Sequence, residues 1–226
     1  MASDRLHPGT FHPRRRVLTD LARAMRELVN GESFPRGGTL IDYGCGDRPY
    51  EELFQGRCER YLGADLPGNE RADLEVDPEQ GVPVENGSAR CVLSSQVLEH
   101  VTDPRAYLAE AHRLLAPDGC LLLSTHGIWP YHPHPDDYWR WTRDGLKQEI
   151  ERAGFEVIEM RSVVGLAAAA VQLWQDATAD HLPAPLRALY VLGTQSLMGL
   201  LESVRRGQAR DASVYVVLAR KPPSAR

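Results

Sequence analysis

The chain has 226 residues, enough for one domain with a sizeable core, and its 42% apolar and 25% charged residues suit a globular protein. A formal net charge of −5 and a pI near 5.9 argue against a strongly basic nucleic-acid surface, so no nucleic-acid partner is expected. The runs Arg14-Arg15-Arg16 and Arg205-Arg206 read as solvated helix flanks. Cysteines at 45, 58, 91 and 120 form no C-x-x-C pair, which argues against a zinc knuckle or redox motif. Cys91 and Cys120 read as core thiols. The first residues lack a charged-then-apolar leader, so a cytoplasmic location is expected. No transmembrane segment is expected either. The apolar stretch 186–201 is interrupted by Arg187, Thr194, Gln195 and Ser196, and its unbroken runs fall far short of the roughly 18 residues that span a bilayer.

Residues 1–12 read as irregular. Residues 14–30 read as an amphipathic helix through Val17, Leu18, Leu21, Ala24, Met25 and Leu28. Thr39-Leu40-Ile41 is a short buried strand that runs into the turn Asp42-Tyr43-Gly44-Cys45-Gly46. Glycines there permit backbone angles and close approaches that a Cβ would block. The dinucleotide pattern G-x-G-x-x-G would need glycine at 49, where this chain has Pro49. A second strand at 60–66 ends on Asp65, 19 residues after Gly46, a spacing that suits an acceptor for ribose hydroxyls. Further strands are predicted at 71–77, 91–95 and 120–125. Between the last two, Thr102-Asp103-Pro104 opens a helix with Pro104 in its first turn.

A loop rich in His, Pro, Asp, Tyr and Trp runs from 127 to 141. Thr142 caps the next helix, which Gly154 stops. Residues 155–160 alternate as a strand, 165–208 are mostly helical with a break at 182–185, and 213–219 form the last strand. Alternating strands and helices predict an α/β fold, a parallel sheet with helices on both faces. Such sheets bind ligands beyond the carboxyl ends of their strands, which gathers Gly44, Asp65, Asp77, Gln96 and His126 around one crevice.

The series Asp42-Tyr43-Gly44-Cys45-Gly46 resembles motif I of the class I S-adenosylmethionine methyltransferases. Cys91-Val92-Leu93-Ser94-Ser95-Gln96-Val97-Leu98-Glu99-His100-Val101 resembles that family's fourth strand and its continuation, and order and spacing agree from about 37 to 160. The resemblance implies a Rossmann-like, seven-stranded, mostly parallel sheet with helices on both faces and an antiparallel C-terminal strand. It implies a single methyltransferase domain over 1–226, with a leading helix at 14–30 and a helical insertion at 165–208 before the last strand. That insertion reads as a core-packing element or a homodimer contact, with peripheral membrane contact of 186–201 as the alternative. The implied cofactor is S-adenosyl-L-methionine, held by Asp42, Gly44, Cys45, Gly46, Asp65, Leu66, Asp77, Ser95 and Gln96. Three departures stand out. Arg48 occupies the third glycine position, Ala89-Arg90 replace the common Phe-Asp, and the stretch 77–83 is one residue longer than usual.

Methyl transfer to a hydroxyl needs a positioned acceptor and a group to take its proton. His126 ends the fifth strand facing the crevice and is the leading base, with His100 and Glu99 also in the catalytic set. The segment from Gln96 to His100 resembles the E-x-x-E-H metal motif of ubiquinone-pathway and small-RNA O-methyltransferases, with Gln96 in place of the first Glu. A divalent metal such as magnesium at Glu99, His100 and His126 is one reading, and local hydrogen bonding is the other. His132, His134, Asp137, Tyr138, Trp139 and Arg140 form a loop that resembles one in methyltransferases of polysaccharide and secondary-metabolite gene sets. Its aromatic faces suit stacking on a sugar; packing of the loop itself is the alternative. The expected function is S-adenosylmethionine-dependent methylation of a hydroxyl on a small polar acceptor, a sugar or glycoside. A natural-product O- or N-methyltransferase and a non-catalytic cofactor-binding partner protein are the alternatives.

Overall fold

The computed structural model describes residues 3–205 and 207–223, so Arg206 of the second basic run lies outside the described residues. Helices α1 (Ser3–Leu6) and α2 (Arg15–Asn30) lead into strands β1 (Thr39–Tyr43), β2 (Arg60–Asp65), β3 (Leu74–Glu75) and β4 (Ala89–Ser95). Helix α3 (Pro104–Leu114), strand β5 (Leu115–His126), helix α4 (Arg143–Arg152) and strand β6 (Glu156–Gly165) follow. Helices α5 (Leu166–Thr178) and α6 (Ala184–Val204) precede β7 (Ala212–Arg220).

The seven strands form one sheet in the order β3-β2-β1-β4-β5-β7-β6. The first five run parallel, and β7 is antiparallel to both β5 and β6. Chain direction across the sheet reverses between β1 and β4, the kind of switch point at which open α/β sheets leave a crevice. Both faces are covered. Leu121 and Leu123 of β5 pack with Leu108 of α3 and Leu146 of α4, while Leu122 packs on the opposite face with Met25 and Leu28 of α2. Burial on both faces explains why the central strands read as unbroken apolar runs.

Local sequence sets the helix ends. Asp103 caps α3 by accepting from the Arg105 and Ala106 backbone N–H groups at 2.9 and 3.1 Å, with Pro104 in the first turn. Thr142 caps α4 through the Gly145 N–H at 3.1 Å. Four elements depart from expectation. Helix α1 (Ser3–Leu6) forms within the stretch 1–12 that reads as irregular, and Leu6 is buried in the core. Strand β3 is two residues long instead of spanning 71–77, because Asp73 turns its carboxylate to the Gly63 N–H at 2.8 Å and pairs with Arg48. Strand β6 extends past 160 to Gly165, because pairing with β7 continues to Ala212. Strand β5 starts at Leu115, where it meets Ala89 of β4.

The α5–α6 hairpin grips the N-terminal segment. The side-chain amides of Gln172, Gln175 and Gln195 all donate to the Pro13 carbonyl, at 3.1, 2.7 and 2.9 Å. Gln195 also accepts from the Arg16 N–H at 2.7 Å. These bonds hold the start of α2 beside the carboxyl ends of the strands. Among the described residues no helix is long and apolar enough to cross a membrane.

Candidate active site

The turn after β1 is bare backbone. Gly44 and Gly46 take φ of +82° and +50°, in the left-handed region that suits glycine. A Cβ on Gly44 would stand 2.6 Å from a Val97 methyl, so the turn is packed from below. A Cβ on Gly46 would meet nothing within 4 Å, which leaves that backbone open to a ligand. Arg48 also has a positive φ, but it turns its guanidinium to Asp73 and to the Tyr61 ring, 5.9 Å from the centroid. The missing third glycine therefore puts no side chain into the crevice.

Asp65 anchors the same turn. Its Oδ2 accepts from the Gly46 N–H at 2.9 Å and the Asn69 amide at 2.6 Å, and its Oδ1 accepts from the Leu66 N–H at 2.9 Å. A carboxylate offers about four acceptor sites, so about one remains for a ribose hydroxyl. Asp42 is buried at the base of the turn, where Tyr61 Oη–H donates to it at 2.5 Å. Burial pushes its carboxyl up to about 7. A ligand ammonium beside it would draw it back to the charged form. Asp77 Oδ1 accepts from the Glu79 and Gln80 N–H groups, which closes the longer turn noted at 77–83.

These groups open on a cavity of about 1330 Å³. A single small ligand needs roughly 300–1,000 Å³, so there is room for a cofactor beside an acceptor. All nine expected cofactor residues, from Asp42 to Gln96, line it. Gln96 holds a positive φ of 58°, and its amide donates to Ser124 Oγ at 3.1 Å.

Of the catalytic set, His126 and His100 line the cavity and Glu99 lies behind them, fully buried. Glu99 Oε2 accepts from Thr125 Oγ1–H at 2.7 Å. Its Oε1 has no hydrogen-bond partner and lies 3.4 Å from His126 Nε2 and 4.0 Å from His100 Nε2. Burial raises the Glu99 carboxyl to about 7 and holds the His126 imidazolium well below its usual value. Both groups are thus driven toward their neutral forms, and an uncharged imidazole is the form that accepts a proton. His100 Nδ1 meets the Asp136 carbonyl at 2.5 Å. A carbonyl only accepts, so Nδ1 carries the hydrogen and Nε2 of the neutral ring holds the lone pair.

The six expected substrate residues divide. His132 and His134 line the cavity, whereas Asp137, Tyr138, Trp139 and Arg140 do not. Asp137 instead receives both Arg140 terminal nitrogens at 2.6 Å and the His132 N–H at 2.8 Å, and the Arg140 bonds hold its carboxyl far below the usual range. Trp139 Nε1–H donates to the Val101 carbonyl at 2.8 Å, and its ring stacks on Trp141. Here the packing alternative describes the geometry, because the loop's polar groups satisfy one another.

Two lining residues went unnoticed in the sequence. Trp129 stacks on His126 with ring centroids 4.4 Å apart, and its buried Nε1–H has no partner among the described residues. Arg14 lies over Trp129 at 4.5 Å and 3.7 Å from Asp176 of α5. Trp129 sits three residues beyond the strand-ending His126, a usable signal. Arg14 had none beyond its basic run.

The donor set fits magnesium poorly. Among the described residues, the metal-capable groups whose ligand atoms all lie within 4.8 Å of one another are Glu99, His100 and His132, so His132 rather than His126 completes the cluster. One carboxylate with a raised pKa and two imidazoles offer a hard cation too few oxygens. The Arg140–Asp137 ion pair lies against His132, each partner 3.4 Å from Nδ1, and so keeps the Asp137 carboxylate engaged.

A family model described as "Methyltransferase domain" matches residues 14–160. A ubiquinone biosynthesis O-methyltransferase of Dinoroseobacter shibae is 28% identical over 169 residues, 62% of this chain and 68% of that protein. A probable S-adenosylmethionine-dependent methyltransferase of Mycolicibacterium smegmatis is 29% identical over 136 residues, and there the match spans only 53% of the relative's length. The fold is similar to that of a solved complex of the Haloferax volcanii Trm112 methyltransferase activator with a putative methyltransferase. The TM-score is 0.58 at 15% identity, and the match covers 98% of this chain and 97% of that one. With a family model matched over residues 14–160 and methyltransferases among its relatives, the chain belongs to the methyltransferase domain family and is an S-adenosylmethionine-dependent methyltransferase.

Proposed function

We propose that the enzyme methylates a hydroxyl of a small polar acceptor, a sugar or glycoside, in the cytoplasm. The observation that carries this reading is the wall of the cavity beside the glycine turn, where His100, His126, Trp129 and His134 gather around the His132 ring. The Trp129 ring faces carry His126 at 4.4 Å and the Arg14 guanidinium at 4.5 Å, so Trp129 braces the wall while the imidazole edges are left for acceptor hydroxyls. Bound S-adenosylmethionine supplies an electrophilic methyl group. The chain's part is to hold the acceptor oxygen in line and remove its proton, for which His126 is neutral and fixed by a strand end and the Trp129 stack. No step is assigned to a metal.

The test measures S-adenosylhomocysteine release with a panel of glycosides and phenolic alcohols, in excess chelator. Turnover with glycosides is expected. His126→Ala should keep cofactor affinity and lose roughly 10²–10⁴ in turnover, the usual span of general-base assistance. Turnover that requires added magnesium would reinstate the metal reading. Cofactor binding without turnover on any acceptor would favour the non-catalytic partner reading.

A further inference from the structure

The outer surface of the α5–α6 hairpin carries apolar side chains that the fold leaves uncovered. On α6, Val191, Gln195 and Met198 are buried against the rest of the chain. Leu186, Leu189, Gly193, Leu197, Leu200 and Val204 lie on the opposite side. Their spacing of three, four, four, three and four residues averages the helical repeat and runs straight along the axis. On α5, Leu166, Leu173 and Trp174 are likewise exposed, opposite the buried Ala168, Ala169, Gln172 and Gln175.

These eight apolar side chains are 38% to 67% exposed. Together they present on the order of 800 Å², above the roughly 300–600 Å² of the largest patch on a typical monomer. That is also about what each partner contributes to a standard protein–protein interface.

The middle of the α6 row is a glycine that the chain's own packing does not require. A Cβ on Gly193 would meet nothing within 4 Å, and its φ is not positive. Glycine weakens a helix interior relative to alanine. Its place is explained by something that approaches from outside, since small residues at a crossing point let two helix axes come close. Charge narrows the occupant. Residues 166–204 contain Asp176, Asp180, Arg187 and Glu202 and no lysine, and none of the four falls in the α6 row. A membrane-surface helix relies on a Lys- and Arg-rich polar face, whereas here that face is spent on the hairpin's own packing. An uncharged stripe with a small centre is self-complementary, as a two-fold contact demands.

We infer that this surface joins two copies of the chain, with α6 packed on the partner's α6 about a two-fold axis and crossing near Gly193. The inner side of the same hairpin holds Pro13 and, through Asp176, Arg14, which lines the cavity, so the dimer contact backs one wall of it.

The experiment is light scattering on the eluting full chain over a hundredfold concentration range. A mass of twice 25.2 kDa is expected. The double variant Leu189→Glu/Leu197→Glu should elute as a monomer with wild-type circular dichroism. Ile158→Glu, an exposed apolar position on β6 outside the hairpin, should stay dimeric. Gly193→Leu should raise the dimer dissociation constant at least tenfold while leaving the fold intact. Oxidised Gly193→Cys should give a covalent dimer that the wild type, with three buried cysteines and a half-buried Cys58 outside the hairpin, does not form. A wild-type monomer at every concentration would overturn the inference. So would a folded double variant that stays dimeric, a covalent link that fails to form at 193, or a monomer that floats with phosphatidylcholine vesicles, which would make the face a lipid contact. If the double variant does not fold, the wild-type mass and the Gly193 pair decide.

Discussion

Replacing Glu99 with glutamine is expected to stabilise the protein in alkaline buffer and to change little in acid. The Glu99 carboxyl is fully buried, with one oxygen bonded to Thr125 and the other facing His126 without a hydrogen bond. Burial moves its pKa from 4.5 to about 7. Between these values the folded protein keeps the proton that the unfolded chain releases. Stability from this group is therefore whole below pH 4.5, falls as pH rises, and reaches its full deficit above about pH 7. At about 1.36 kcal/mol per pH unit, the deficit is roughly 3 kcal/mol. Glutamine keeps the shape, has no charge to desolvate, and can place its amide N–H toward the His126 ring. Asp42, raised by the same cause, titrates in both proteins and cancels in the difference. Urea unfolding at pH 5 and pH 8 measures the effect. The two proteins should agree within about 1 kcal/mol at pH 5, and the variant should gain about 2–3 kcal/mol at pH 8. A variant equally destabilised at both pH values would refute the reasoning, because it would mean that Glu99 is ionised against a protonated His126.

Two further substitutions separate binding from packing. Asp65→Ala removes a charged acceptor that also ties down the Gly46 N–H, and should weaken S-adenosylmethionine binding by roughly 1.5–3 kcal/mol in calorimetry. Unchanged affinity in a folded variant would take the cofactor away from this acid. Trp139→Ala loses the bond to Val101 and the stack on Trp141, and should cost about 1–3 kcal/mol of stability with the acceptor's KM unaltered. A raised KM at an unchanged melting temperature would return Trp139 to the acceptor site.

The carboxyl-end crevice could be read without coordinates because its determinants are local. Aliphatic runs, the Gly44–Gly46 turn and the caps at Asp103 and Thr142 each act within a few residues. A parallel sheet then brings successive strand ends to one side, and Gly44, Asp65, Asp77, Gln96 and His126 all line the one cavity. Even the departure at Arg48 was visible, although not its consequence, which depends on Asp73 standing near enough to take the guanidinium.

What the tertiary structure decided rests on contacts between distant residues. Gln195 reaches Pro13 across 182 positions, and through such bonds Arg14 comes to lie over Trp129 and hence beside His126. No periodicity in either segment records that pairing. The loop from His132 to Arg140 has the residue types of a binding site, yet Asp137 and Arg140 satisfy each other once folded, which leaves only His132 and His134 of the six at the cavity. The opposite shifts of Glu99 and His126 come from burial, a property of the whole neighbourhood that neither residue's local sequence encodes. The apolar period of α6 was legible from residues 184–204, but which of its sides faces the rest of the chain, and which is left for another surface, follows only from where the hairpin docks.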